Sequence, residues 1–100
     1  MMTMKDFTPE TLYKMQFNDR DLFYKIMLNT RLESLSKWLD YAELALQNND
    51  LKLYAIYIKD AFESRFKTGM DFKKADVDKS ILEEFDIRFR VLLAKGLNHA

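Results

Sequence analysis

The longest uninterrupted helical pattern in the chain lies in residues 20–47, which contain neither glycine nor proline. From Leu28 onward, apolar residues follow one another at alternating intervals of four and three: Leu28, Leu32, Leu35, Leu39, Ala42 and Leu46. This spacing places them on one stripe of an α-helix. Upstream of Leu28 the apolar face is a different one, formed by Leu22, Phe23, Ile26 and Met27. The pattern therefore predicts helix throughout, with a change of face near residue 29.

The change of face is compatible with two different structures at Asn29-Thr30. Thr30 and Glu33 have the form of a capping box, which favours a break or kink. The alternative is one continuous helix about 40 Å long, in a chain whose compact fold would have a radius of gyration of about 13 Å. Such a helix would project into a partner or a second copy, and a two-fold homodimer is the simplest way to cover its end. The homodimer is thus a hypothesis that depends on the helix being unbroken.

Residues 51–69, LKLYAIYIKDAFESRFKTG, raise a choice between strand and helix. A strand would be apolar on both faces, and the chain has no other convincing strand to pair with it. With helical spacing, one stripe contains Leu51, Tyr54, Ile58, Ala61 and Phe62. We predict a helix that ends at Gly69 as its C′ residue. A second apolar strip of Leu53, Ile56 and Tyr57 indicates either the central helix of a bundle or a docking surface.

Shorter helices are predicted on both sides. Thr8 is a suitable N-cap for a helix over residues 9–17, and Asp19 for the next one. Residues 70–77 are predicted as a loop. Asp78 then caps a last helix over residues 79–95, which has Gly96 at C′. The chain is therefore predicted to be all-α, a small irregular antiparallel bundle of four or five helices in a single domain spanning residues 1–100. The predicted core contains Leu35, Leu39, Leu46, Ile58, Phe62, Leu82, Phe85, Phe89 and Leu92.

Composition supports a helical fold and narrows the functions. Two glycines and one proline provide few turns for a sheet, and the absence of cysteine excludes disulfides and Cys-ligated metals. Sixteen basic and sixteen acidic residues cancel, which argues against a general nucleic-acid coat. No apolar run is long enough for a membrane span or a signal peptide, so we predict a cytoplasmic protein. Frequent residues with AT-rich codons, such as Phe, Ile, Asn and Lys, are typical of a phage, plasmid or low-GC bacterial gene.

Catalytic patterns are missing from the sequence. The single histidine, His99, is next to the last residue, and both glycines lie at predicted helix ends rather than in a phosphate loop. The segment from Asp76 resembles the start of a calcium loop, but Ile81 and Ile87 occupy the positions that require glycine and glutamate. We predict no catalytic, cofactor-binding or metal-binding residue, no cofactor and no enzymatic activity.

A basic and aromatic segment at residues 65–74 is the most suggestive polar feature. We predict that its partner-binding residues are Arg65, Lys67, Phe72, Lys73 and Lys74. Cations interleaved with aromatic rings suit an acidic protein surface or single-stranded nucleic acid. Lysines beside a helix C-terminus are also ordinary partners of the helix dipole. The favoured function is a small non-enzymatic binding protein, an adaptor, inhibitor or modulator of a larger protein complex; the alternative is a nucleic-acid-associated regulator that uses this segment.

Overall fold

The computed structural model of the protein describes residues 2–75 and 80–99, except for the side chains of residues 74, 75 and 99. These residues contain four α-helices and one turn of 3-10 helix, and none of them lies in a strand. The turn is Met4–Asp6, and the helices are α1 (Pro9–Asn18), α2 (Arg20–Gln47), α3 (Leu51–Ala75) and α4 (Ser80–His99). The prediction of an all-α bundle is confirmed. The molecule is elongated, with a longest extent of 51 Å.

α2 and α3 form an antiparallel hairpin that carries most of the packing. The turn between them is residues 48–50, in which Asn49 has a φ of 56°, a conformation that asparagine tolerates better than most residues. Asp50 Oδ1 accepts a hydrogen bond of 3.1 Å from the Leu53 backbone N–H and so caps α3. Residues 51–58 are therefore helical, as the 3.6-residue period predicts.

α2 runs without interruption through Asn29-Thr30, so the predicted capping box does not form. The Thr30 hydroxyl donates to the Ile26 carbonyl at 2.9 Å and accepts the Met4 N–H at 2.8 Å. Glu33 forms ion pairs with Lys5 and with Lys37 rather than capping the Thr30 backbone N–H. The two residues fasten the N-terminal segment to the side of α2 instead of starting a new helix.

α3 passes straight through Gly69 and is helical as far as Ala75, so the predicted C′ glycine and the loop over residues 70–75 are wrong. A glycine inside a helix costs about 1 kcal/mol relative to alanine. Contacts of the next turn with α2 offset that cost. Asp71 accepts a 2.9 Å hydrogen bond from Arg31 Nε, and Phe72 is only 3% exposed in the core. Residues 76 and 77 lie outside the described residues.

α4 is antiparallel to α3 and continues to His99, beyond the predicted end at residue 95. Gly96 therefore lies inside the helix rather than at C′. Its lack of a side chain allows Tyr54 to approach the backbone of α4 closely. A Cβ atom at this position would lie 2.3 Å from the Tyr54 hydroxyl oxygen. Tyr54 in turn donates to the Leu92 carbonyl at 2.7 Å. The predicted cap Asp78 lies outside the described residues.

Buried apolar residues form two adjoining clusters where α4 packs on the hairpin. The first joins α2, α3 and α4 through Leu35, Leu39, Ala42, Ala61 and Leu92. The second lies nearer the far end of α3 and contains Leu28, Leu32, Phe72 and Leu82. The core thus follows the predicted stripe of α2.

The predicted core residues divide into three groups. Five are buried as predicted: Leu35, Leu39, Leu46, Leu82 and Leu92. Ile58, Phe85 and Phe89 are half-buried at the edge of the first cluster. Phe62 is 63% exposed, so its placement in the core is wrong. Ala61 occupies the core position instead, and Phe62 lies about 100° further round the helix.

Candidate protein-binding surface

The predicted partner-binding residues do not form one surface in the structure. Phe72 is a core residue, so it does not hold the surface position that the prediction required. Arg65 is paired with Asp86, whereas Lys67 and Lys73 are exposed. The side chain of Lys74 lies outside the described residues. Because Arg65, Lys67 and Phe72 lie on a helix rather than a loop, their side chains point in different directions.

Arg65 connects α3 to α4. Its Nε and Nη2 atoms donate to the two carboxylate oxygens of Asp86 at 2.7 and 3.0 Å. The hydrogen bond from Arg65 lowers the pKa of Asp86, and the same bond raises the pKa of Arg65. A bidentate pair of this kind is among the stronger polar contacts in proteins. Arg65 therefore holds two helices together, and its charge is already matched within the chain.

An aromatic surface occupies a part of the hairpin that α4 leaves uncovered. We define the aromatic surface as Trp38, Tyr41 and Leu44 of α2 together with Leu53 and Tyr57 of α3. The rings of Trp38 and Tyr57 are stacked, with centroids 6.0 Å apart. Tyr41 is 6.0 Å from Trp38 and 5.5 Å from Tyr57, so each ring lies close to the other two. Both helices of the hairpin thus hold these rings in place.

The aliphatic members of this surface are open to solvent. Leu44 is 55% exposed and Leu53 is 41% exposed, while Tyr41 is 47% exposed. They surround an open, mainly apolar pocket of about 150 Å³, lined by Tyr41, Leu44, Ala45, Asn48, Asp50, Leu53 and Tyr57. Small-molecule sites typically have about 300–1,000 Å³. The pocket is better suited to a single side chain of a partner than to a cofactor.

A polar groove continues the aromatic surface along the hairpin. Its volume is about 300 Å³, and it is lined by Arg31, Ser34, Trp38, Asp60, Glu63, Ser64 and Lys67. Trp38 belongs to both the aromatic surface and the groove, so these two features adjoin. An apolar centre bordered by polar side chains is the usual arrangement of a protein interface. Among the predicted site residues whose side chains are described, Lys67 is the one that borders this surface.

Of the five residues of the aromatic surface, only the two on α3 were accessible to sequence reasoning. The second apolar strip of α3, which includes Leu53 and Tyr57, indicated either the central helix of a bundle or a docking surface. Trp38, Tyr41 and Leu44 were missed because they lie outside the leucine stripe of α2. A search for aromatic residues next to the stripe would have found Trp38 and Tyr41, although their contact with Tyr57 depends on the hairpin register.

The described part of the chain contains neither a metal-binding cluster nor a membrane-spanning helix. Within residues 2–75 and 80–99, no three His, Asp or Glu side chains are grouped so that they could hold a metal ion. None of the helices described has the length and hydropathy needed to cross a bilayer. Comparisons with models of protein families, with curated proteins and with solved structures found no match to this chain.

Proposed function

We propose that the protein is a small non-enzymatic binding protein that docks on a larger protein complex through the aromatic surface. It acts there as an adaptor, inhibitor or modulator. The observation that carries the proposal is the mutual packing of Trp38, Tyr41 and Tyr57 on an uncovered face beside an apolar pocket. Tryptophan and tyrosine are the residues most enriched among interface hot spots, together with arginine.

The rigidity of this surface also supports the proposal. Ordering a flexible side chain on binding costs about 0.5–1.5 kcal/mol. The three rings already restrict one another, and each is carried on a long helix of the same hairpin. Less ordering is therefore needed when a partner covers them, so more of the contact energy is available for affinity.

Site-specific photo-crosslinking in cells tests the proposal. A benzophenone amino acid replaces Leu44 in one variant and Ile87 of α4 in a matched control. The two positions are 55% and 60% exposed, but Ile87 lies outside the aromatic surface. We expect a discrete heavier adduct from position 44, its loss when Tyr41→Ala is added, and no such adduct from position 87. Equal adducts from both positions, or none from position 44, would refute the proposed surface.

The homodimer remains a prediction, but the reason for it, an uncovered end of an unbroken α2, has weakened. α2 is unbroken, but the N-terminal segment covers its projecting turns by bonding to Asn29 and Thr30. Sedimentation equilibrium of wild type and Leu44→Glu resolves the question. A 12.0 kDa species in both would leave the aromatic surface to a different protein. A dimer of wild type that Leu44→Glu dissociates would instead assign this surface to a second copy.

A further inference from the structure

A second exposed apolar feature lies on the outer side of α3, away from the aromatic surface. It consists of Phe62, Phe66 and Met70, which we call the phenylalanine stripe. Their spacing of four residues aligns them along the helix. They are 63%, 65% and 50% exposed, respectively. Two phenylalanines with this exposure, one turn apart, form a contiguous apolar strip on the surface.

Lysines lie along the same line of the helix. At about 100° per residue, Lys59 and Lys73 are each about 20° from Phe66 around the axis, and Lys52 is about 40° away. All three are exposed, and none forms an ion pair with a described residue. At 1.5 Å per residue, the lysines span about 30 Å. Glu63, which also lines the polar groove, is the acidic residue of α3 nearest to Phe66, at about 60° around the axis, so the three lysines give this line of α3 a positive surplus.

A pocket next to the stripe offers a place for an apolar side chain. It has a volume of about 190 Å³ and is lined by Phe62, Arg65, Asp86, Phe89 and Arg90. The rings of Phe62 and Phe89 are 6.2 Å apart. Because Asp86 is paired with Arg65, the exposed Arg90 adds a further positive charge at this edge.

Three other occupants fit this face less well. Antiparallel pairing of two copies centred on Phe66 would place Lys59 of one copy against Lys73 of the other, and like charges repel. A bilayer would have to accept the carboxylate of Glu63 beside the buried rings. Single-stranded nucleic acid binds in continuous basic grooves, whereas these lysines are separated by apolar residues on a convex helix.

We propose that the phenylalanine stripe and its lysines bind an acidic segment of another protein. Large apolar side chains of that segment pack on Phe62 and Phe66 and enter the adjoining pocket. Its Asp and Glu residues pair with Lys59, Lys73 and Arg90. The face is separate from the aromatic surface, so the two can be tested independently.

Selection from a library of random 16-residue peptides displayed on phage tests this proposal. The bait is the full-length protein, and counter-selection on the double variant K59E/K73E removes peptides that bind elsewhere. We expect the enriched sequences to combine Asp or Glu with Phe, Leu or Trp. Synthetic copies should bind K59E/K73E and Phe66→Ser at least tenfold more weakly than wild type, as measured by fluorescence anisotropy.

The control is K14E/K25E, which makes the same change in net charge at exposed lysines of α1 and α2. It should bind the peptides within about twofold of wild type, because an attraction set by net charge alone would weaken equally in both double variants. Circular dichroism establishes that every variant is folded. The proposal is overturned if no peptide survives counter-selection, if the enriched peptides are neutral or basic, or if both double variants lose binding equally.

The same variants test whether a membrane, a nucleic acid or a second copy occupies this face instead. Vesicles of phosphatidylcholine with phosphatidylserine, and a 20-nucleotide single-stranded DNA, are tested at the same ionic strength as the peptides. Tighter binding to either one, lost in K59E/K73E and retained in K14E/K25E, would overturn the proposal in favour of a membrane or a nucleic acid. A wild-type dimer that Phe66→Glu dissociates would overturn it in favour of a second copy.

Discussion

The two sides of the α2–α3 hairpin are both apolar, but they are built from different side chains. The side under α4 is aliphatic at its centre, where Leu35, Leu39 and Leu92 are no more than 2% exposed. The uncovered side is centred on Trp38, Tyr41 and Tyr57. A leucine side chain has no group that can hydrogen-bond to water, whereas a tyrosine hydroxyl or an indole N–H remains solvated while the ring packs against neighbours. In the proposed function, one apolar side of the hairpin serves folding and the other serves association.

The largest expected effect is a difference in stability between leucines of α2 on the two sides. Leu39 is fully buried, so Leu39→Ala should lower the free energy of unfolding by roughly 2–5 kcal/mol through lost transfer energy and a residual cavity. Leu44 is 55% exposed, and Leu44→Ala should change the free energy of unfolding by no more than about 0.5 kcal/mol. Urea unfolding followed by circular dichroism measures both. Similar losses at the two positions would mean that the sides are not distinct in the folded protein.

A smaller difference is expected between the two glycines. A methyl group at Gly96 would meet the Tyr54 ring, with two of its carbons 2.6 Å from the added Cβ. Tyr54 is held by its bond to Leu92, and burial of its hydroxyl raises its pKa. Overpacking of this kind costs roughly 1–3 kcal/mol, so Gly96→Ala should be destabilising.

Gly69→Ala is the matched control, since Gly69 also lies inside a helix. The added Cβ would approach only the Arg65 guanidinium, with Nη1 at 2.7 Å, and that flexible group can move. The gain in helix propensity, about 1 kcal/mol, should offset the disturbance. Thermal unfolding should therefore show a lower Tm for Gly96→Ala and little change for Gly69→Ala. The reverse order would contradict the close packing of α4 on Tyr54.

The smallest effect concerns the edge of the covered side, where Arg65 and Asp86 join α3 to α4. The pKa of Asp86 is lower in the folded state than in the unfolded chain, because the folded carboxylate accepts hydrogen bonds from Arg65. Its stabilisation is therefore complete above the unfolded pKa of about 3.9 and is lost as the pH falls through the folded value. The two side chains are 31% and 34% exposed, so the contribution is expected to be only about 0.5–1 kcal/mol.

Urea unfolding of wild type and Asp86→Asn at several pH values measures this contribution. The difference between the two proteins should be present at pH 7 and shrink in the acid range. Asp40→Asn removes one of the two carboxylate partners of Arg88, the other being Glu43, and is the control, since the Asp40 carboxylate is 62% exposed. A difference for Asp86→Asn that does not depend on pH would show that the carboxylate acts through packing rather than charge.

Features with a local cause could be predicted from the sequence. The leucine stripe of α2 repeats over five intervals, and it identified both the helix and its buried face. Thr8 and Asp19 cap α1 and α2 as expected, because capping involves only the next three residues. The helical state of residues 51–58 followed from the absence of any strand to pair with.

The remaining features depend on contacts between distant residues. Phe62 and Phe72 are both phenylalanines of α3, yet one is exposed and the other buried, and the position of α4 and the hairpin register decide which. Gly69 would end many helices, but the bond between Arg31 and Asp71 and the burial of Phe72 extend this one. The candidate site was missed for the same reason, since Trp38 and Tyr57 are 19 positions apart and meet only through the hairpin.

The attachment of the N-terminal segment has a consequence for the dynamics of the molecule. α1 contains no buried residue, and the segment is fastened to α2 largely by polar contacts to Asn29, Thr30 and Glu33. Few apolar contacts are lost when such a segment detaches, so it forms a unit that can open while the hairpin stays folded. Amide hydrogens of α1 should therefore exchange with solvent through local opening, and those around Leu39 only through global unfolding.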